Sequence, residues 1–258
     1  MKYFTKDWYE MSQNTGYYCS LKEDKKAENF SEEYFEQLYK KKLKECLEFK
    51  KKINESILKL GKESKIPSYE PFDEEKESNR FHKAFLYNQE HMKKALPEEI
   101  LKNIADIRVF VLDKASNEVI KAVTKFCKDN EKLVEKTFEE YEKYYEKALK
   151  SFDKEIVENI NFHDCRVIDV KQTKDVLKVS FNNSGGFTNI NEIQFKNYNI
   201  IKQDDILQGS WWIYYEIYIV DSKYELHVLL QNESMDLIEF IVSFEKVSFS
   251  KERLLQTF

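Results

Sequence analysis

The 258-residue chain is 41% hydrophobic and 34% charged, enough apolar material for a sizeable core in one large domain or two small ones. Its net charge of -5 argues against nucleic-acid binding, and its 5 glycines and 3 prolines leave little room for the glycine-rich loops of P-loop or dinucleotide chemistry. No stretch approaches the ~20 apolar residues of a membrane span and the opening residues lack a signal-like apolar run, so a cytoplasmic protein that makes no use of a membrane is expected.

In chain order, Phe4, Trp8 and Met11 stand at i, i+4 and i+7, the spacing of a short amphipathic helix whose stripe needs a groove. The pattern lapses around Asn14-Thr15-Gly16. Ser31 then caps a long helix in which Tyr34, Phe35, Leu38, Leu43, Cys46, Leu47, Ile53, Ile57 and Leu60 mark one face as far as Gly61. Pro67 and Pro71 make the clearest break in the chain. A helix from Asp73 to Ala95 follows, anchored by Phe81, Phe85 and Met92, and Pro97 opens another. The apolar run Ile107 to Leu112 fits either a strand or a buried helix, and its helical neighbours favour helix. Ser116 caps a helix through Cys127, and a further long helix spans Asn130 to Asn159.

From Asn161 the hydrophobic period changes from 3.6 to 2. Arg166–Val170 and Val176–Phe181 read as a hairpin, Ile190–Phe195 as a third strand, and Leu237–Lys246 as the last, with Ile238, Phe240, Val242 and Phe244 on one face. Between them, Trp211–Val220 and Lys223–Leu230 form the central hairpin around Asp221-Ser222. A two-residue loop there pairs Val220 with Lys223, Tyr218 with Glu225, Ile217 with Leu226, Glu216 with His227 and Tyr215 with Val228. Strict alternation puts Trp211, Ile213, Tyr215, Ile217, Ile219, Tyr224, Leu226, Val228 and Leu230 on the core. It puts Trp212, Tyr214, Glu216, Tyr218, Glu225, His227 and Leu229 on a second face, too aromatic for open solvent and therefore covered by a helix, a partner or a ligand. Helices followed by strands predict an α+β protein, with an amino-terminal helical domain over 1–160 and a carboxy-terminal antiparallel β-sheet domain over 161–258. The lack of βαβ alternation speaks against a Rossmann-type site.

The segments Tyr3–Tyr9, His163–Val167, Gly209–Glu216 and Tyr224–Leu230 together resemble a family of bacterial proteins classed only as a domain of unknown function. That resemblance spans most of the chain and implies no reaction, cofactor or site residue. The Phe162-His163-Asp164 start of the β half also resembles the opening of small bacterial β domains found among toxin-immunity proteins.

Glu216 opposite His227 is the most suggestive constellation. A carboxylate there would orient the imidazole and raise its pKa, half of what a general base or metal ligand needs, with Glu225 and Tyr218 flanking it. The competing reading is a structural cross-strand ion pair. His163-Asp164-Cys165 mixes metal-capable residues, but neighbours on a strand point to opposite faces, so at most two could share a metal. His82 and His91 are too far apart on their helix to act together, and Tyr141, Tyr144 and Tyr145 form a helix stripe or a stacking surface. Cys19, Cys46, Cys127 and Cys165 make no C-x-x-C pair and read as free thiols.

No complete catalytic set emerges, and no metal site or cofactor is indicated. The expectation is a non-catalytic protein-binding module of immunity or regulatory type. It would offer a basic partner an acidic, aromatic surface made of Trp212, Tyr214, Glu216, Tyr218, Glu225 and His227. The alternatives are a hydrolase or metal-dependent enzyme centred on Glu216 and His227, and a homo-oligomer assembled through the long helices.

Overall fold

The computed structural model describes residues 1–64 and 71–251. Its helices are α1 (Lys6–Gln13), α2 (Glu32–Ser64), α3 (Glu74–Ala95), α4 (Glu98–Leu101), α5 (Ile107–Phe110), α6 (Asn117–Ala148) and α7 (Lys154–Asn159). Its strands are β1 (Lys22–Glu23), β2 (Lys114–Ala115), β3 (Arg166–Gln172), β4 (Val176–Asn182), β5 (Ile190–Lys196), β6 (Asn199–Gln203), β7 (Trp211–Val220), β8 (Lys223–Gln231), β9 (Leu237–Phe244) and β10 (Lys246–Lys251). The architecture is α+β, with helices first and then an eight-stranded antiparallel sheet.

Packing divides the chain differently from secondary structure. One compact unit is Met1–Gln13 with Lys132–Phe258, and the other is Asn14–Glu131. The continuous helix α6 thus contributes to both, its first half to the helical unit and its second half to the sheet unit.

In the helical unit, the Ser31 hydroxyl accepts the Tyr34 N–H at 3.2 Å and the Asp73 carboxylate accepts the Lys76 N–H at 2.9 Å, so the expected starts of α2 and α3 are capped. Gly61 does not end α2, which runs to Ser64. The break expected at Pro67 lies outside the described residues. Leu38, Phe85, Val109 and Leu112 form one apolar cluster, and Leu96, Ile100, Phe110, Val119, Val123 and Cys127 another. The ambiguous run from Ile107 opens as the helix α5, capped by Asp106, and turns at Asp113 with φ 66°. Val109 and Phe110 are apolar in succession because Val109 joins one cluster and Phe110 the other.

The two helices expected on either side of Lys128-Asp129 are one. That polar pair is exposed and contains neither glycine nor proline, so nothing interrupts the backbone ladder. The actual break comes after Ala148, in a 3-10 turn over Leu149–Ser151, beyond which Phe152, Ile156 and Ile160 enter the sheet core.

The sheet runs β10-β5-β4-β3-β7-β8-β9-β6. Its two four-stranded halves meet at β3 and β7, where the paired register is the single match Arg166 with Trp211. Their inner faces share one core, in which Val167, Leu177, Val179, Phe181 and Ile193 cluster with Ile217, Leu226, Val228, Phe240 and Val242, and the rings of Phe195 and Phe244 lie 4.9 Å apart. The expected last strand divides at Glu245 into β9 and β10, which pair with different halves. β6 is a further strand, lying along β9.

The central hairpin pairs residue for residue as expected, from Val220 with Lys223 to Tyr215 with Val228. Asp221 and Ser222 both have positive φ, 49° and 64°, the type I′ geometry whose twist suits a two-residue hairpin. The alternation fails toward the start of β7. The register shifts between Trp212 and Tyr214, leaving Ile213 as the extra residue of a bulge. Trp212 therefore turns to the inner core, 2% exposed and packed on Phe162 and Phe181, and does not belong to the outer face with Tyr214. Trp211 takes the opposite side, half-exposed beneath the Arg166 guanidinium.

Candidate functional site

The outer face of β7 and β8 carries Tyr214, Glu216, Tyr218, Glu225, His227 and Leu229. It is covered by the chain's own amino-terminal segment and by the second half of α6. Thr5 caps α1 by accepting the Trp8 N–H at 3.1 Å, and Trp8 fills the groove that its stripe demanded, against Phe4, Phe138 and Tyr214. From α6, Tyr144 donates to the Ile217 carbonyl at 3.0 Å.

Glu216 is fully buried. Its Oε1 accepts the backbone N–H groups of Tyr3 (2.8 Å) and Phe4 (2.6 Å), and its Oε2 accepts that of Lys2 (2.8 Å) and the Tyr218 hydroxyl (2.7 Å). Three successive N–H groups converging on one anion form a backbone nest, here wrapped around a side chain of the same protein. Removing a carboxylate from water costs several kcal/mol, and four short hydrogen bonds offset that cost. Burial first, and then the bond to Glu216, push the Tyr218 phenol well above its ordinary pKa.

His227 stands directly across from Glu216 but is not bonded to it. Its Nε2 meets Glu225 Oε1 at 2.5 Å, its ring lies edge-on to Tyr218 at 5.0 Å, and its buried Nδ1 has no hydrogen-bond partner among the described residues. The two residues singled out together are thus adjacent in space and separate in chemistry. Glu216 holds the amino-terminal segment, and Glu225 holds His227 from two residues away on the same strand.

Beside this closed region lies an open cavity of about 510 Å³, within the ~300–1,000 Å³ range of ligand pockets. Phe138, Tyr141, Glu142 and Tyr145 line it from one face of α6, Ile213, Tyr214 and Tyr215 from β7, and Phe187 from the loop between β4 and β5. The hydroxyls of Tyr215 and Tyr145 are paired, and burial holds both phenols above their ordinary pKa. His163 joins the lining, its Nδ1 bonded to the carbonyl of Ile213, the bulge residue. Cys165 is fully buried in the core, where burial and then Asp164 push its thiol up to about 11. The triplet His163-Asp164-Cys165 is therefore split between cavity and core, in the turn that enters β3.

The loop bearing Phe187 is set by Gly186. A Cβ there would lie 2.4 Å from Cys165 Sγ and 2.9 Å from the His163 carbonyl. Phe187 itself is 83% exposed. Its sequence signal was a lone aromatic in an otherwise polar loop. Glu142 gave no signal, being one of many acids on a charged helix.

In the helical unit, His82 bonds the hydroxyl of Tyr39 on α2 (3.0 Å) and His91 that of Tyr17 in the turn before β1 (2.8 Å), so each is held by a separate tyrosine. All four cysteines are free thiols. Among the described residues no three His, Cys, Asp or Glu side chains group as a metal would require, and no helix is long and apolar enough to cross a membrane.

An amino-terminal helical region followed by an eight-stranded antiparallel sheet places the chain in the α+β class. Residues 70–240 match the family described as Protein of unknown function (DUF4085), and the chain belongs to that family. No match emerged among curated proteins or solved structures.

Proposed function

We propose that the chain is a non-catalytic, cytoplasmic protein-binding module of immunity or regulatory type, which engages a basic partner through an acidic, aromatic surface. The observation that carries this reading is the contrast on the outer face of β7. Glu216, the centre of the hydrolase or metal-enzyme alternative, has both oxygens committed to four internal donors, whereas the aromatic cavity beside it is open. A carboxylate engaged in this way is not available to a substrate or metal unless the amino-terminal segment first leaves. An exposed Phe beside partly buried Tyr side chains supports this reading, because aromatic residues are enriched at protein contact sites.

A photo-crosslinking residue at position 187 tests the reading in cells, alongside assays of the purified protein on ester, phosphate and glycoside substrates with added divalent metals. The expected result is a protein adduct that Glu142→Lys abolishes, with no turnover sensitive to His227→Ala. Turnover that His227→Ala abolishes, with no protein adduct, would overturn the proposal.

A further inference from the structure

We infer that the open cavity beside β7 takes the arginine side chain of a partner protein, an assignment that rests on the protein-binding reading above and names what the partner presents. Three observations converge on a cation with an apolar stem.

The walls are aromatic: Phe138 and Tyr145 on α6, Tyr214 and Tyr215 on β7, and Phe187 at the mouth. Such rings attract a guanidinium by cation–π contact and stacking, and they cover its methylene stem. The charge at the site is negative. Glu142 lines the cavity, is exposed and makes no ion pair among the described residues, and no lysine or arginine lines the cavity. Asp164, exposed at its side chain and with its Oδ1 3.7 Å from the Nε2 of the lining residue His163, is a second carboxylate beside the site. The volume also suits the assignment, because about 510 Å³ exceeds what one side chain needs and leaves space for flanking backbone. An anionic group would face Glu142 without a cationic partner, and a purely apolar one would leave that carboxylate unused. The arginine is the occupant that matches both.

The probe is N-acetyl-arginine amide, with N-acetyl-citrulline amide as its uncharged isostere, added to the full chain carrying 13C-labelled Tyr and Phe and followed by NMR. The arginine compound is expected to shift the Tyr214 and Phe187 ring resonances saturably and to bind about tenfold more tightly than the citrulline compound. Glu142→Gln, an exposed change that spares the fold, is expected to weaken arginine binding about threefold and leave citrulline binding unchanged. Equal affinity for the two amides, an unaltered affinity in E142Q, or no saturable shift at the solubility limit of the probe would overturn the inference. These outcomes are separable from the fate of the wider reading. A position-187 protein adduct with no arginine preference removes only the arginine assignment, and His227-dependent turnover with no adduct removes the protein-binding reading whatever the amides do.

Discussion

Tyr214 and Glu216 lie two residues apart on the same strand and face the same way, yet they stand in opposite environments. Both oxygens of Glu216 are bonded inward: a nest of backbone N–H groups and a phenol surround a carboxylate with no solvent exposure. Around Tyr214 the aromatic layer stops short of closure, and Phe187 extends into solvent at the rim. The difference teaches that on one face the charged residue can be architectural while an aromatic layer beside it is left unclosed, with Phe187 exposed at its rim.

The comparison makes graded predictions. Glu216→Ala removes the acceptor for four donors and should cost about 3–4 kcal/mol in urea unfolding, with Glu216→Gln, which keeps one acceptor oxygen, costing about half as much. Gly186→Ala forces a Cβ into Cys165 and the His163 carbonyl, and should cost about 2 kcal/mol by the same measurement while disturbing the cavity mouth.

Tyr218→Phe deletes one donor to the buried carboxylate and should cost about 1 kcal/mol near neutral pH. The same phenol, with those of Tyr214 and Tyr215, gives the pH dependence its sign. Each is held neutral in the fold, mainly by burial, with a pKa above the ordinary 10.0. The unfolded chain therefore ionises first, and the stabilisation is intact below pH 10 and falls as the pH rises beyond it. Urea midpoints from pH 8 to 11 should decline above pH 10, and less steeply in Tyr218→Phe.

Phe187→Ala should change stability by no more than about 0.5 kcal/mol, because its side chain is almost wholly in solvent. If it cost as much as Glu216→Ala, the contrast between a closed anchor and an open contact surface would fail.

Much of this was legible in the sequence. The hairpin register followed from the Asp221-Ser222 loop length, and the inner face of β9 from the alternation of Ile238, Phe240, Val242 and Phe244. The bulge was not legible, because Trp211-Trp212-Ile213 is apolar throughout and offers no polar residue to show where alternation slips. For that reason strict alternation puts Trp212 on the outer face, whereas the bulge turns it to the core. The continuity of α6 was obscured because Lys128-Asp129 reads as a connection in polarity, although propensity allows the helix to continue. β6 was hidden by its brevity and exposure. The partners of Glu216 were beyond sequence reading altogether. Backbone N–H groups are the same for every non-proline residue, and Lys2 to Phe4 lie more than 200 positions away from the carboxylate they bind. Proximity in register made His227 the obvious mate, but Glu225 on the same strand holds it.

The most direct test of the account is amide hydrogen exchange at Tyr3 and Phe4, read by NMR in the intact protein and in Glu216→Gln. The anchor predicts exchange about 100-fold or more slower than in an unstructured chain, with most of that protection lost in the variant. Exchange at unstructured rates in the native protein, or protection that is the same without the carboxylate, would contradict it and return Glu216 to the list of groups free to act.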